Sequence, residues 1–423
     1  MPVPVASAFP IARVSPVSPV PPSRWIDPQC ARWLQRGGLA PWSLAGRTLL
    51  PIVQGGMGIG VSAHRLAGSV AALGGIGTIS SVDLRRHHPA LLERTLRLAP
   101  GPQAKAGIDA ANLVALEREI TLARERAGGR GMLAINVMRA VTAYGPSVTR
   151  ALECGIDAVV VGAGLPLDLP ELARDHPTAA LVPILSDARG VQLLVRKWER
   201  KKRLPNAIVL EHPRFAGGHL GAASISDVQD PRFDFENALP QSLAFLRSAG
   251  IEREVPLVAA GGIRSLADIR RLQGLGASAV QLGTPFAVTL EGDADPAFKQ
   301  VLAQADDDAL VEFTSVAGLP ARAVRTPWLA GYLASLKRLQ AVAHRKVRCT
   351  KSFDCLAQCG LRDGFEQWGQ FCIDNQLAAA LRGDLRKGLF FRGVGKLPFG
   401  SQIRSVRDLL QTLLTGDSLA LAA

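Results

Sequence analysis

The stretch Ala216-Gly217-Gly218-His219-Leu220-Gly221 brings together residue types suited to chemistry. Two glycines set backbone N–H donors beside an imidazole, which can take or give a proton near neutral pH. A histidine that only satisfies a loop carbonyl would fit the same pattern. His64, His87, His88, His176, His212 and His344 lack that setting and read as this plainer kind, with His212 the nearest rival. The pairs Gly261-Gly262 and Gly283-Thr284 each follow a short apolar run. Glycine lets a ligand approach the backbone, so these turns could hold a phosphate, helped by the positive end of a helix starting near Ser265. Tight turns alone would explain the same glycines.

Cys349, Cys355, Cys359 and Cys372 form a second candidate constellation, with five, three and twelve residues between them. Four thiolates in one short segment suit tetrahedral zinc or an iron–sulfur cluster. Arg345, Lys346, Arg348 and Lys351 flank the first cysteine and would favour thiolates. Close Cys-x-x-Cys pairs are missing, and four small core residues on packed helices are the alternative.

Positioning these residues requires strands that end in glycine. Eight apolar runs follow in order: Pro51–Gln54, Gly75–Ile79, Met132–Asn136, Ala158–Val161, Leu181–Leu185, Ala207–Leu210, Pro256–Ala260 and Ala279–Leu282. They are continuously apolar rather than alternating, as strands buried on both faces are. Helical patterns separate them. Leu66, Val70 and Leu73 share one helical face, and Ser265 with Asp268 makes a capping-box start. Eight β–α units in series predict an α/β fold, a (β/α)8 TIM barrel, with its site at the C-terminal ends of the strands. A doubly wound sheet would carry Gly-x-Gly-x-x-Gly after its first strand, and that spacing is not clean here.

The domain reading is a Pro-rich tail and lead-in over 1–47, a barrel over 48–325 with a helical insertion near 83–130, and a mostly helical C-terminal appendage over 326–423 that holds the cysteines. Within the insertion, Leu113–Ala123 looks amphipathic.

The chain has 423 residues, 48% hydrophobic and 20% charged, which excludes a mostly disordered protein. No apolar run is long enough to span a bilayer, and the first residues do not form a secretory signal. Six cysteines are too few for a disulfide scaffold, so a reducing, cytoplasmic setting is expected. The formal charge of +13 favours acidic partners without choosing among them. The basic run Arg196–Arg203 contains one aromatic, Trp198, and reads as a solvated helix face rather than a nucleic-acid site; an acidic carrier protein is a third partner for it.

Seven motifs carry a family resemblance: Pro51-Ile52-Val53-Gln54-Gly55-Gly56-Met57-Gly58, Gly74–Ser80, Asn136-Val137-Met138, Val161–Gly164, Ala216–Gly221, Ala259–Ile263 and Gln281–Phe286. In this order they resemble the nitronate monooxygenases, whose barrel is shared by flavin-dependent enoyl reductases and some quinone reductases. The resemblance covers roughly residues 48–325, including Gly318–Arg322. It implies FMN, with Gly55, Gly56 and Met57 along the flavin ring and Asn136 near the ring or ribityl chain. It implies Gly217 and Gly218 against the flavin. Gly261, Gly262, Gly283 and Thr284 would hold the phosphate, with Gln281 beneath, and His219 would be the active-site histidine. The implied reaction takes an alkyl nitronate and dioxygen to a carbonyl compound and nitrite. An NAD(P)H-dependent enoyl-thioester or quinone reductase is the alternative. His212-Pro213, the long second and fifth connections and the C-terminal region depart from the simple pattern and bear on substrate more than cofactor.

Overall fold

The computed structural model describes residues 25–345, 349 and 355–417. The Pro-rich segment up to residue 24 lies outside them, as do residues 346–348 and 350–354.

All eight expected strands form, and they close into one parallel barrel. They are β1 (Ile52–Gln54), β2 (Ile76–Ser80), β3 (Met132–Met138), β4 (Ala158–Gly162), β5 (Ala180–Leu185), β6 (Ile208–Glu211), β7 (Leu257–Ala260) and β8 (Ala279–Leu282). Their side chains alternate between two apolar environments. Val53, Ile76, Ala134, Val160, Val182, Val209 and Val258 fill the barrel lumen. Ile52, Leu133, Val159, Leu181, Ile208, Leu210 and Leu257 pack outward against the helices. A strand sandwiched this way reads as an unbroken apolar run. The lumen is capped at the N-terminal end by a hairpin, Trp42–Leu44 with Arg47–Leu49, whose Trp42, Leu44 and Leu49 join the inner cluster.

Some of the surrounding helices begin at side-chain caps. In α1 (Pro28–Arg36) Asp27 accepts N–H bonds from Gln29 and Cys30 ahead of a first-turn proline. The helix α2 (His64–Ala72) follows β1. The expected insertion is helical: α3 (Pro89–Leu96) leads to α4 (Pro102–Ala127), which lays Ala111, Ala115, Leu116, Ile120 and Ala123 inward at helical spacing. Then come α5 (Tyr144–Glu153), α6 (Ala188–Glu199) and α7 (Phe235–Ser248). In α8 (Leu266–Gly274) the Ser265–Asp268 capping box is complete.

The chain beyond β8 does two things. Part of it forms an antiparallel sheet outside the barrel from β9 (Leu310–Thr314), β10 (Pro320–Val324) and the short Gly218–His219 segment. The helix α9 (Pro296–Gln304) precedes this sheet, and α10 (Pro327–Ala341) and α11 (Ile373–Leu381) come after it. The last helix, α12 (Val406–Thr415), returns to the barrel. Its Val406, Leu409, Leu410, Leu413 and Leu414 enter the same core as Cys30, Trp33 and Leu34 of α1 and Leu266 and Ile269 of α8. The sequence reading set 326–423 apart because its β–α rhythm stops. The structure divides that stretch between a cover over the site and a helix of the barrel's own outer ring.

The basic run is not uniformly solvated. Trp198 is buried and donates to the Pro166 carbonyl (3.2 Å), Arg203 bonds the Ala179 carbonyl (2.9 Å), and Lys201 pairs with Glu171 (2.5 Å). Among the described residues no helix is long and apolar enough to cross a membrane.

Candidate active site

A cavity of about 350 Å3 opens at the C-terminal ends of the strands. Gly55, Gly56, Met57, Asn136, Gly217, Gly218, His219, Gly261, Gly262, Gln281, Gly283 and Thr284 all line it. Every residue singled out from the glycine motifs therefore faces one space.

Its floor is a layer of polar side chains ending the lumen. Gln281 lies against Gly55, and Asn136 lies so close to Gly56 that a Cβ there would stand 2.2 Å from the asparagine Cβ. Neither amide has a protein hydrogen-bond partner among the described residues, so both are available to a ligand. At one end, Gly261 (φ +107°) and Gly262 (φ +73°) hold left-handed conformations that turn the backbone around the rim. Arg264 and Lys396 line the same cavity and add positive charge. Thr284 Oγ1 accepts the Gly393 N–H (3.1 Å) and keeps its own proton to donate. This end suits a phosphate by both donors and charge.

His219 is positioned by the outer sheet. Its residue pairs with Ala321 of β10, Gly218 pairs with Arg322, and the next amide, Leu220 N–H, donates to the Pro320 carbonyl. The loop before it is tied down by Arg322, a buried guanidinium that donates to the carbonyls of Pro213 and Ala216 and pairs with Glu312. Imidazole Nε2 lies 3.0 Å from Ser315 Oγ. Ala317 N–H donates to that oxygen (3.3 Å), so the serine proton can go to Nε2 and the imidazole proton to Nδ1. Burial lowers the His219 pKa to about 4, so the ring is neutral at physiological pH.

His212 has a different role. It is buried between Phe215 (4.5 Å between ring centroids) and Phe235 (5.1 Å), accepts the Arg214 N–H at Nδ1 and meets Asp234 at Nε2 (3.2 Å). Burial lowers its pKa to about 4. It braces the loop and does not line the cavity.

Two groups of residues were missed from the sequence. The first is the cover. Phe391, Arg392, Gly393, Val394, Gly395, Lys396 and Leu397 line the cavity from above. This segment is held by Val394 N–H to Phe215 O (3.2 Å) and by Arg392, whose guanidinium donates to the carbonyls of Leu302, Gly393 and Gly395. Gly217 touches the Arg392 backbone so closely that a Cβ would stand 2.4 Å from its carbonyl carbon. Phe391 sits 5.8 Å from the His219 ring. No periodic pattern marks this segment in the sequence. The second is Glu211, the last residue of β6, which also lines the cavity.

The cysteines reach one neighbourhood. Cys355, Cys359 and Cys372 share an apolar cluster with Leu356, Leu361 and Phe371, and Cys355 lines the cavity. Burial, then the charge of Asp374 and of the other three cysteines, pushes the Cys355 thiol up to about 12. Among the described residues, however, no three His, Cys, Asp or Glu side chains are grouped to hold a metal ion. The expected zinc or iron–sulfur quartet at Cys349, Cys355, Cys359 and Cys372 thus finds no donor set in this arrangement. The flanking Lys346, Arg348 and Lys351 lie outside the described residues.

A closed parallel barrel with a glycine-lined, cationic-ended mouth and a buried imidazole is an arrangement suited to a phosphate-bearing ligand. The chain belongs to the nitronate monooxygenase family, whose sequence profile matches residues 44–416. A probable nitronate monooxygenase of Bacillus subtilis is 25% identical over 286 residues, 66% of this chain and 77% of that protein. A nitronate monooxygenase of Pseudomonas aeruginosa is 39% identical over 87 residues, 21% of this chain and 22% of that protein. The fold is shared with nitroalkane oxidase from Streptomyces ansochromogenes (TM-score 0.58, 18% identity, 87% and 95% of the two chains). It is shared equally with FabK from Thermotoga maritima (TM-score 0.56, 18% identity, 86% and 91%).

Proposed function

We propose that this protein binds FMN and oxidises alkyl nitronates with dioxygen, giving a carbonyl compound and nitrite, in the cytoplasm. When bound, FMN supplies the electron-accepting ring and, once reduced, the reactivity toward dioxygen. Gly261, Gly262, Gly283, Thr284, Arg264 and Lys396 would hold its phosphate. Gly55, Gly56, Met57, Asn136, Gln281, Gly217 and Gly218 would border the rest.

The observation that carries the reading is His219, a neutral imidazole enclosed in the cavity and fixed by Ser315. Its Nδ1–H can donate to a nitro oxygen and set the orientation of the substrate carbon. The apolar wall of Met138, Val141, Leu356, Leu377, Leu389 and Phe391 suits an alkyl chain and excludes water from the reacting groups.

The same barrel could serve an NAD(P)H-dependent enoyl-thioester or quinone reductase, and the fold shared with FabK favours that second reading. Anaerobic mixing separates the two. Flavin bleaching by propyl nitronate, and not by NADH or NADPH, is expected; bleaching by a nicotinamide alone would replace the first reading with the second.

A further inference from the structure

We propose that Glu211 is a catalytic base of this cavity, taking the α-proton of a neutral nitroalkane and so widening the substrate class beyond preformed nitronates. This deepens the function proposed above and rests on it.

The placement follows from strand alternation. Ile208 and Leu210 face the helices, while Val209 fills the lumen. Glu211 is the next residue of the inward set and the last of its strand, so its side chain closes the lumen at the cavity floor. Its strand neighbour on β7 is Ala260, which offers no polar group. On the β5 side Ser186 follows the paired Leu185–Leu210 step. Glu211 Oε2 lies 4.0 Å from the point where a Cβ on Gly221 would stand, and Ser186 Oγ lies 2.4 Å from the same point. The carboxyl therefore sits near Gly221, two residues beyond His219, and lines the same cavity as the imidazole. It forms no hydrogen bond or ion pair among the described residues. A carboxyl aimed into a cavity with nothing to bind costs stability, and it is retained where a ligand or a reaction uses it.

The surrounding charges do not neutralise it. The ionisable groups that also line the cavity are His219 on the loop, Arg264 beyond β7, the Cys355 thiol, Arg392 and Lys396 on the cover and Asp374 at the start of α11. Burial alone lifts the Glu211 carboxyl to about 7. Its carboxylate is accordingly a stronger base than the His219 imidazole, whose conjugate acid lies near 4. A base is most effective when its pKa lies near the working pH.

The step balances as a proton transfer. The substrate C–H bond breaks and its electron pair stays on carbon, delocalised into the nitro group as the nitronate. The proton moves to a Glu211 oxygen, and His219 orients the nitro oxygens. No redox partner enters this step.

The test compares Glu211→Gln with wild type, both loaded with flavin, using 1-nitropropane kept neutral and, separately, preformed propyl nitronate. For E211Q the anaerobic bleaching rate is expected to fall at least about 100-fold with the neutral compound and to stay within about threefold with the nitronate. A primary isotope effect with 1,1-dideuterated nitropropane should accompany the wild-type reaction. An independent readout is the carboxyl C=O stretch in infrared difference spectra between about pH 5 and about pH 8.5, which should lose one band in E211Q. If wild type is bleached by both compounds and E211Q loses neither, or loses both equally, the assignment of Glu211 falls while the function stands. Wild type bleached by neither compound overturns the function and this assignment with it.

Discussion

His219 Nε2 and Ser315 Oγ stand 3.0 Å apart, although 96 residues separate them along the chain. The histidine arrives on the loop after β6, and the serine on the turn between β9 and β10. The register of β10 against Gly218 and His219 makes the meeting obligatory. Removing the imidazole, as in His219→Ala, should lower the nitronate reaction by about 100-fold or more, and Ser315→Ala by a smaller factor. Because burial keeps the ring neutral to about pH 4, the rate should show no histidine titration near 6.5. A pH–rate profile from purified protein checks both points.

Glu211 should leave a signature in stability as well. Its folded pKa is raised from 4.5 to about 7. The folded state therefore resists ionisation, and its contribution is fully present below about pH 4.5 and lost as pH rises through 7. Glu211→Gln should raise Tm relative to wild type at about pH 8.5 and show little difference at about pH 4.5. Thermal melts at the two pH values provide the measurement.

Two glycine substitutions separate packing from ligand binding. A Cβ at Gly56 would stand 2.2 Å from Asn136 Cβ, whereas one at Gly283 would meet only Met57 Sδ at 3.8 Å. Gly56→Ala should lower Tm markedly. Gly283→Ala should leave Tm nearly unchanged while weakening FMN, since its methyl would project into the cavity. Flavin retention and melting curves together distinguish the cases.

Charge at the rim addresses the orientation of the cofactor. Lys396→Ala should weaken FMN by about tenfold, about 1.4 kcal/mol, at low salt. Riboflavin, which lacks the phosphate, should bind the two proteins alike. Equal losses for both ligands would place the phosphate elsewhere.

Arg322 is a structural counterpart. Its guanidinium is buried and committed to Glu312 and to two carbonyls of the loop before His219. Arg322→Ala strands those groups and should cost roughly 3 kcal/mol. Chemical denaturation measures the loss, and the His219 loop should become protease-sensitive.

The sequence displayed the barrel clearly because each strand is apolar on both faces, so the eight runs stand out and their ends fall within a residue or two of Gln54, Leu185 or Ala260. The glycine motifs were legible for the same reason, as interruptions at strand ends. Glu211 was not, because Ile208-Val209-Leu210 shows no alternation from which its inward direction could be read. The cover at Phe391–Leu397 was hidden because irregular backbone held by carbonyl bonds, such as those of Arg392, has no periodic signature. The cysteines remained ambiguous because spacing reports neither burial nor donor geometry, and both bear on whether thiolates form.

The ring of outer helices is joined where α12 lies against α1, with Arg407 reaching Gln29 and Arg36 reaching Asp417. Because α1 precedes α12 by most of the barrel in the chain, it must wait for α12 during synthesis. During that interval Trp33 and Leu34 have an exposed flank, and a nascent chain stalled before Val406 would present that flank to chaperones or to other copies of itself.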